Sequence, residues 1–319
     1  MSTKEKLLAL VKATSGIYSG EKLAQELQVS RTAVWKAIRE LEKAGYRFEH
    51  TANGYRYLPS DVLEASEILS GLPENLAVEI TESSESTMKD AKLAFAAGAS
   101  APRLFITETQ QGGHGRFGRP FFSPKGQGIY MTLLLAPNQS FDELPQYTLL
   151  AAVAVCRAIE ELTGEDCQIK WVNDIYLHGK KLVGILSEAT SDFESGTIAS
   201  VSIGMGINFS IPQADFPKEL QAKATSLFAH KTPTITRNQL IQKVWQHFFA
   251  LVENLPNMDY LEEYRKRSFV LGKKVSFTLQ KQHYQGVATA ITDEGQLVVQ
   301  TDTGLITLNS GEISLESIQ

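Results

Sequence analysis

The chain has 319 residues, 43% of them hydrophobic and 21% charged, with a formal net charge of -5. Such a composition belongs to an ordinary water-soluble protein with room for two or three cores. It contains no apolar run near the ~20 residues of a membrane span and no signal peptide, so a cytoplasmic address is expected.

Charge is unevenly spread. The first 60 residues hold ten Lys or Arg and six Asp or Glu, which leaves 21 basic against 30 acidic residues for the rest. A basic head on an acidic body points to nucleic acid as a partner of the head. Residues 4–12 place apolar side chains at helical spacing, and Ser19 is positioned to cap a second helix through Leu27. Ser30 then caps a third, over 31–44, whose Ala33, Val34, Ala37, Ile38 and Leu41 fall on one arc. Arg31, Thr32, Trp35, Lys36 and Arg39 fall on the opposite arc. This is the pattern of a helix-turn-helix whose third helix enters a major groove; a three-helix packing module with a solvated charged face is the alternative. Residues 46–50 and 55–57 alternate as strands around Asn53-Gly54, a strong hairpin signal, and complete a winged helix with Arg56 on the wing. Residues 58–62 read as a linker, so the first domain is expected to span residues 1–62.

The second domain mixes strands and helices. Strands are expected at 78–82, 103–109, 129–135, 168–172, 175–177, 181–188 and 198–209, and helices at 86–97, 147–162, 237–254 and 259–266. Cys156 and Cys167 lack a CxxC or histidine partner and read as small core residues, and the six histidines show no metal-ligand spacing. From Lys274 onward, four segments alternate at period two, separated by turns such as Asp293-Glu-Gly295, as in a small antiparallel barrel. The expected fold class is α+β.

Four stretches carry chemistry. Residues 110–126, QQGGHGRFGRPFFSPKG, combine glycines that let backbone approach a ligand with the fixed charges of Arg116 and Arg119. Gly113-His-Gly115-Arg-Phe-Gly118 fits the letters of the dinucleotide fingerprint, but Pro120 and Pro124 forbid the helix that motif requires. A mobile basic loop able to close over an anion remains, or else a solvated connection. Ser86-Thr87 opens a helix directly after a strand, either binding a polar ligand edge or simply capping. Lys170-Trp-Val-Asn-Asp174 sets a lysine, an amide and a carboxylate at a strand end, or forms an Asn-Asp turn. Lys180-Lys181 starts an apolar strand, so one lysine can lean inward toward an anion; two lysines at an exposed turn is the alternative.

The loop GGHGRFGRPFFSPKG, the run KWVNDIYLHGKKLVGIL (170–186) and GMGIN (204–208) together resemble the biotin protein ligases, and with the winged helix in front the whole chain resembles their bifunctional bacterial form, the biotin operon repressors. The resemblance implies a winged helix-turn-helix, a central mixed α/β domain of the biotin/lipoate-ligase type over 63–271, and a small SH3-like β-barrel over 272–319. It implies synthesis of biotinyl-5'-AMP from biotin and Mg-ATP, then transfer of biotin to a lysine of a biotin carboxyl carrier protein. Operator DNA and, on adenylate binding, a second copy of the chain are the further partners. By this likeness Arg116, Arg119, Lys181 and Asp174 are catalytic, with Mg²⁺ near Asp174. Ser86, Thr87, Gln110, Gly113, His114, Gly115, Arg116, Lys181 and Gly184 hold biotin. Arg116, Arg119, Asn173, Asp174, Lys181 and Asn208 hold the nucleotide, and Arg31, Thr32, Trp35, Lys36, Arg39 and Arg56 contact DNA. The sequence departs from its relatives at His114, Phe117 and Phe121, where the family loop carries arginines and a tryptophan. Met88 follows Ser86-Thr87 in place of asparagine, and Leu308 replaces an aromatic that packs on adenine in some relatives.

Overall fold

The computed structural model describes residues 2–14, 16–137, 144–192, 197–255, 257–309, 311 and 313–315. Contacts divide the chain into two compact units, Met1–Leu63 and Glu64–Gln319. The first unit runs α1 (Thr3–Lys12), β1 (Ile17–Tyr18), α2 (Gly20–Leu27), α3 (Arg31–Lys43), β2 (Arg47–Thr51) and β3 (Gly54–Leu58). A serine starts each helix. Ser2 and Glu5 form a reciprocal capping box, while Ser19 and Ser30 each accept a backbone N–H at 3.1 Å, from Lys22 and Ala33. These contacts satisfy donors that the first helical turn leaves open. Gln28, with φ 53°, reverses the chain between α2 and α3. Leu7, Leu23, Val34, Ile38 and Leu41 form the core, so the arc read from α3 is the one that buries. The strands form a sheet in the order β1-β3-β2. Gly54 is indispensable to it, because a Cβ there would lie 2.1 Å from the Tyr18 carbonyl oxygen.

The second unit begins with α4 (Ala65–Ile68), β4 (Ala77–Thr81), α5 (Thr87–Ala96), β5 (Arg103–Thr107), β6 (Gly128–Leu135) and α6 (Leu144–Thr163). It continues with β7 (Gln168–Lys170), β8 (Asp174–Leu177), β9 (Lys180–Asp192), β10 (Thr197–Asn208), α7 (Lys218–Gln221), α8 (Arg237–Glu253) and α9 (Asp259–Arg267). β1 in the first unit and α4 and α7 in the second are too short for a periodicity to register in the sequence. Seven strands pair in the order β4-β5-β6-β10-β9-β8-β7, with β4 and β5 parallel and the other pairs antiparallel. Successive strand residues face opposite sides. Thr132 of β6 meets Thr87 of α5, whereas its neighbour Met131 accepts from the Trp245 indole of α8 at 3.3 Å, so α5 and α8 cover opposite faces. That double cover explains why β6 and β10 are buried along most of their length. On the α8 side, α6 is buried almost all round from Leu149 to Ile159, and Trp245 packs edge-on against Phe248 at 5.3 Å.

The chain ends in β11 (Lys274–Leu279), β12 (Gln282–Ile291), β13 (Leu297–Thr301), β14 (Gly304–Leu308) and β15 (Ile313–Leu315), an antiparallel sheet in the order β14-β13-β12-β11-β15. A bulge between Ala288 and Ala290 bends β12. The turn from β12 to β13 meets the β7–β8 turn and α9, where the Trp171 indole donates to the Gly295 carbonyl at 2.9 Å and Arg265 pairs with Asp293 at 2.6 Å.

Candidate functional site

The site is built on the α5 face of the large sheet. Register sets Tyr130 opposite Gly206, Thr132 opposite Gly204, and Gly206 opposite Gly184, so three glycines of β9 and β10 share this face with Thr132. Without side chains they leave a smooth floor, and the Phe121 ring lies on it. A Cβ at Gly206 would sit 2.4 Å from that ring, and one at Gly184 would sit 3.6 Å from it. At Gly204 the neighbour is the Met88 sulfur, 2.7 Å from a Cβ.

Neutral polar groups line one end. Thr87 opens α5 and offers its backbone N–H to Gln110 Oε1 at 2.9 Å, while its hydroxyl lies 2.8 Å from that of Thr132. Ser86 occupies the N-cap position but its side chain makes no capping hydrogen bond, and the first N–H of the helix, that of Thr87, goes to Gln110 of the loop. Plain N-capping is thereby removed as an account of the Ser86-Thr87 pair. Gly113 is buried against Gln110, whose amide nitrogen would be 2.6 Å from a Cβ there.

Charged groups line the other end. β7 stops at Lys170 and β8 starts at Asp174, and Asn173 in the turn donates to the Ile185 carbonyl at 2.6 Å. The Tyr264 hydroxyl supports this turn from beneath, donating to the Val172 carbonyl at 2.9 Å. Lys181 leans inward to Asp174 at 2.7 Å, with its amine 3.4 Å from a Cβ built on Gly184, while Lys180 turns to the Gln221 carbonyl. Of the lysine pair, Lys181 is therefore the inward one. Arg116 reaches the same place from the loop, donating to the Gly311 carbonyl at 2.8 Å and to Asn173 Oδ1 at 3.5 Å.

The basic loop is closed upon itself. Phe121 N–H donates to the Gly113 carbonyl at 2.9 Å, Gly115 N–H donates to that of Arg119 at 2.8 Å, and His114 bridges Pro120. A single 3-10 turn, Arg116–Gly118, forms the tip, where Phe117 has φ 57° and is 74% exposed. Arg119 and His114 are exposed on the limbs of the loop. Asn208 shares the glycine face but is buried, its amide donating to the Thr225 carbonyl at 3.0 Å, so it ties the 225 loop to β10. Leu308 is buried, paired across from Leu297 in the small sheet.

Several residues that shape the site went unread in the sequence. Thr132 had a signal, a lone hydroxyl in the apolar run GIYMTLLL, whereas Gly295, Tyr264 and the Gly311 carbonyl act across long chain separations and leave no local trace. Burial pushes the thiols of Cys156 and Cys167 up, the latter to about 12, so both are inert core groups. Among the described residues no group of three His, Cys, Asp or Glu could hold a metal, and no helix is long and apolar enough to cross a membrane.

In the first unit, α3 and the wing enclose a groove lined by Arg31, Thr32, Trp35, His50, Asn53 and Tyr55. Trp35 stands 50% exposed with the Arg39 guanidinium 5.9 Å above its ring. His50 and Glu42 meet at 2.7 Å and tie the wing to α3. Lys36 is exposed on the same helix, and Arg56 lies across from Glu49 at 3.3 Å.

The sequence pattern of the Biotin/lipoate A/B protein ligase family matches residues 80–208, an HTH domain matches 3–56, and the biotin protein ligase C-terminal domain matches 270–316. A bifunctional ligase/repressor BirA of Bacillus spizizenii is 37% identical over 312 residues, covering 95% of both chains. The bifunctional ligase/repressor BirA of Escherichia coli is 27% identical over 321 residues, covering 98% of this chain and 97% of its own. The biotin protein ligase of Aquifex aeolicus, solved in complex with biotin and ATP, superposes with a TM-score of 0.64 at 24% identity, covering 75% of this chain and 98% of its own. With near-complete coverage at that identity, and the three domain patterns in the same order as the elements, the chain belongs to the biotin protein ligases, among their bifunctional ligase/repressors.

Proposed function

We propose that this chain is a biotin protein ligase that makes biotinyl-5'-AMP from biotin and ATP, passes biotin to a lysine of a biotin carboxyl carrier protein in the cytoplasm, and represses transcription when it carries the adenylate. One observation supports the ligase reading above the rest: a glycine floor flanked by neutral donors and acceptors at Thr87, Gln110 and Thr132 and by the charged trio Lys181, Asp174 and Arg116. The neutral end suits an uncharged ureido ring lying against glycine and Phe121. At the charged end two anions, the biotin carboxylate and the α-phosphate, must meet, and Lys181 and Arg116 offset their repulsion and the charge that grows as the anhydride bond forms. Asp174 aims Lys181, and Asn173 aims Arg116. The exposed Arg119 is the loop's second cation, placed to engage phosphate when the loop closes. Ser86, Gly113, Gly115 and the backbone of His114 complete the biotin wall, while Asn208 supports the nucleotide end by fixing the 225 loop.

One carboxylate beside two cations fits a Mg²⁺ that arrives on the nucleotide's phosphates rather than one held by a protein cage, and such an ion would neutralise phosphate charge with Asp174 as its protein neighbour. The groove beside α3 suits duplex DNA, with Arg31, Thr32, Trp35, Lys36 and Arg39 on the helix and Arg56 on the wing as its contacts. A homodimer formed on adenylate binding presents two such heads. The test is incubation with Mg-ATP and either biotin or lipoate, followed by pyrophosphate release and labelling of a carrier domain. Biotin-dependent release with labelled carrier is expected. Release that depends on lipoate instead, or none with either acid, overturns the reading.

A further inference from the structure

We propose that the ion pair of the half-buried Glu108 with the buried Arg237 is a positioning clamp that fastens both ends of the basic loop and so sets the biotin end of the site. The proposal rests on the reading of that site given above. Arg237 is the first residue of α8, its side chain is 3% exposed, and it meets Glu108 through two nitrogens at 2.6 and 3.2 Å. Glu108 stands two residues before Gln110, where the loop departs from β5. Its carbonyl accepts the N–H of Gly126, where the loop returns, at 3.2 Å, and Arg237 Nη1 also donates to the Gly128 carbonyl at 3.4 Å, the first residue of β6. One guanidinium thus holds the outgoing and the incoming strand of the loop together.

The pairing of β5 with β6 ends at Thr107 opposite Tyr130, just short of Glu108, and beyond it side chains tie the two limbs, among them Gln110, whose amide donates to Ser123 Oγ at 3.5 Å. Thr109 Oγ1 donates to the Ser123 carbonyl at 2.8 Å, and the Tyr130 hydroxyl donates to that of Pro124 at 3.0 Å. The loop carries Gln110, which grips the Thr87 N–H, and Phe121, which lies on the glycine floor, so a movement of its feet displaces both biotin-facing groups at once. A charge pair with its guanidinium this deeply buried gains little net stability over apolar packing, because desolvation offsets the attraction. What the planar fork of an arginine supplies is one fixed geometry against a carboxylate.

The test compares Glu108→Gln, Arg237→Gln and Arg237→Lys with the parent in the full-length protein, well below each variant's melting temperature. Two readouts are taken: the KM values for biotin and ATP in pyrophosphate release, and the rate of tryptic cleavage after Arg116 or Lys125 in the loop. Both Gln variants should raise the KM for biotin and the loop cleavage rate at least tenfold, with a smaller rise in the KM for ATP because Arg116 at the loop's tip keeps its own ties to Gly311 and Asn173; Arg237→Lys, which keeps charge and loses the fork, should fall between. If a Gln variant does not fold, Arg237→Lys carries the test through the same two readouts. A lower melting temperature with biotin KM and loop cleavage within twofold of the parent overturns the clamp. A parent that releases no pyrophosphate with biotin would sink the site reading instead, and loop cleavage alone would then decide the clamp.

Discussion

Lys181 is held at the mouth of the site by a single carboxylate, and its chain neighbour Lys180 faces elsewhere. A cation that works on charge developing during phosphoryl transfer affects the transition state more than the fold. Lys181→Gln should therefore slow adenylate formation by about two to three orders of magnitude with little change in melting temperature. Stopped-flow pyrophosphate release beside a thermal melt checks both halves, and a large loss of stability at an unchanged rate would assign Lys181 to structure alone. Arg116 makes charge-assisted hydrogen bonds of the kind worth ~1.5 to 3 kcal/mol. Arg116→Ala should accordingly release adenylate into solution about ten to a hundred times faster, read by filter retention of labelled biotinyl-AMP. On the floor, Gly206→Ala forces a methyl group onto the Phe121 ring. Such overpacking costs about 1–3 kcal/mol and should raise the KM for biotin; an unchanged value would show that the ring is not part of the biotin wall.

Among the elements, α9 is fastened to α6 by charge. Glu263 of α9 receives Arg157 of α6 at 2.6 Å and Arg267, one turn on, at 2.9 Å. Burial pushes the Glu263 carboxyl up, but the hydrogen bonds and charges of the two arginines outweigh it and hold the carboxyl below its ordinary range. Because the folded value is the lower one, the stabilisation is complete above the unfolded carboxylate range and is lost as pH falls through the folded value. Glu263→Gln should cost about 1.5–3 kcal/mol near neutral pH and flatten the acid limb of stability below about pH 4. Denaturant melts at pH 7 and pH 3 test this, and an equal loss at both would rule the linkage out. Such cross-helix ties were invisible in the sequence, since Arg157 and Glu263 lie in separate helices. Helix starts, by contrast, were legible, because Ser19 and Ser30 act on N–H groups three residues away.

For the whole molecule, the proposed repression is tested on operator DNA. A winged helix offers one short recognition helix and a wing, too small a surface for tight specific binding, so two heads on two half-sites are expected. Sedimentation and operator gel shifts with no ligand, with biotin, and with biotin plus Mg-ATP should show dimer and shift only in the last, and operator DNA should tighten adenylate binding by the same factor. Replacing Arg31, Lys36 and Arg39 should abolish the shift while carrier labelling continues; equal shifts in all three conditions would end this mechanism.

The sequence alone determined whatever depends on neighbours in the chain. The caps, the amphipathic arc of α3, the Asn53-Gly54 turn, the refusal of a helix after Gly118 and the period-two strands of the small sheet all follow from interactions spanning a few residues. Tertiary structure alone decided which polar residues meet. Ser86 leaves its helix without a side-chain cap while Gln110 arrives from the loop to take the Thr87 N–H, a bulge in the pairing of β9 with β8 turns Lys181 rather than Lys180 inward, and Asn208 is tied to Thr225 while Arg119 stays exposed. Those choices rest on contacts between elements and on sheet register, which sets Gly128 beside Asn208 and Thr132 beside Gly204, and a register is fixed by the collective burial of the whole sheet rather than by any one residue in it.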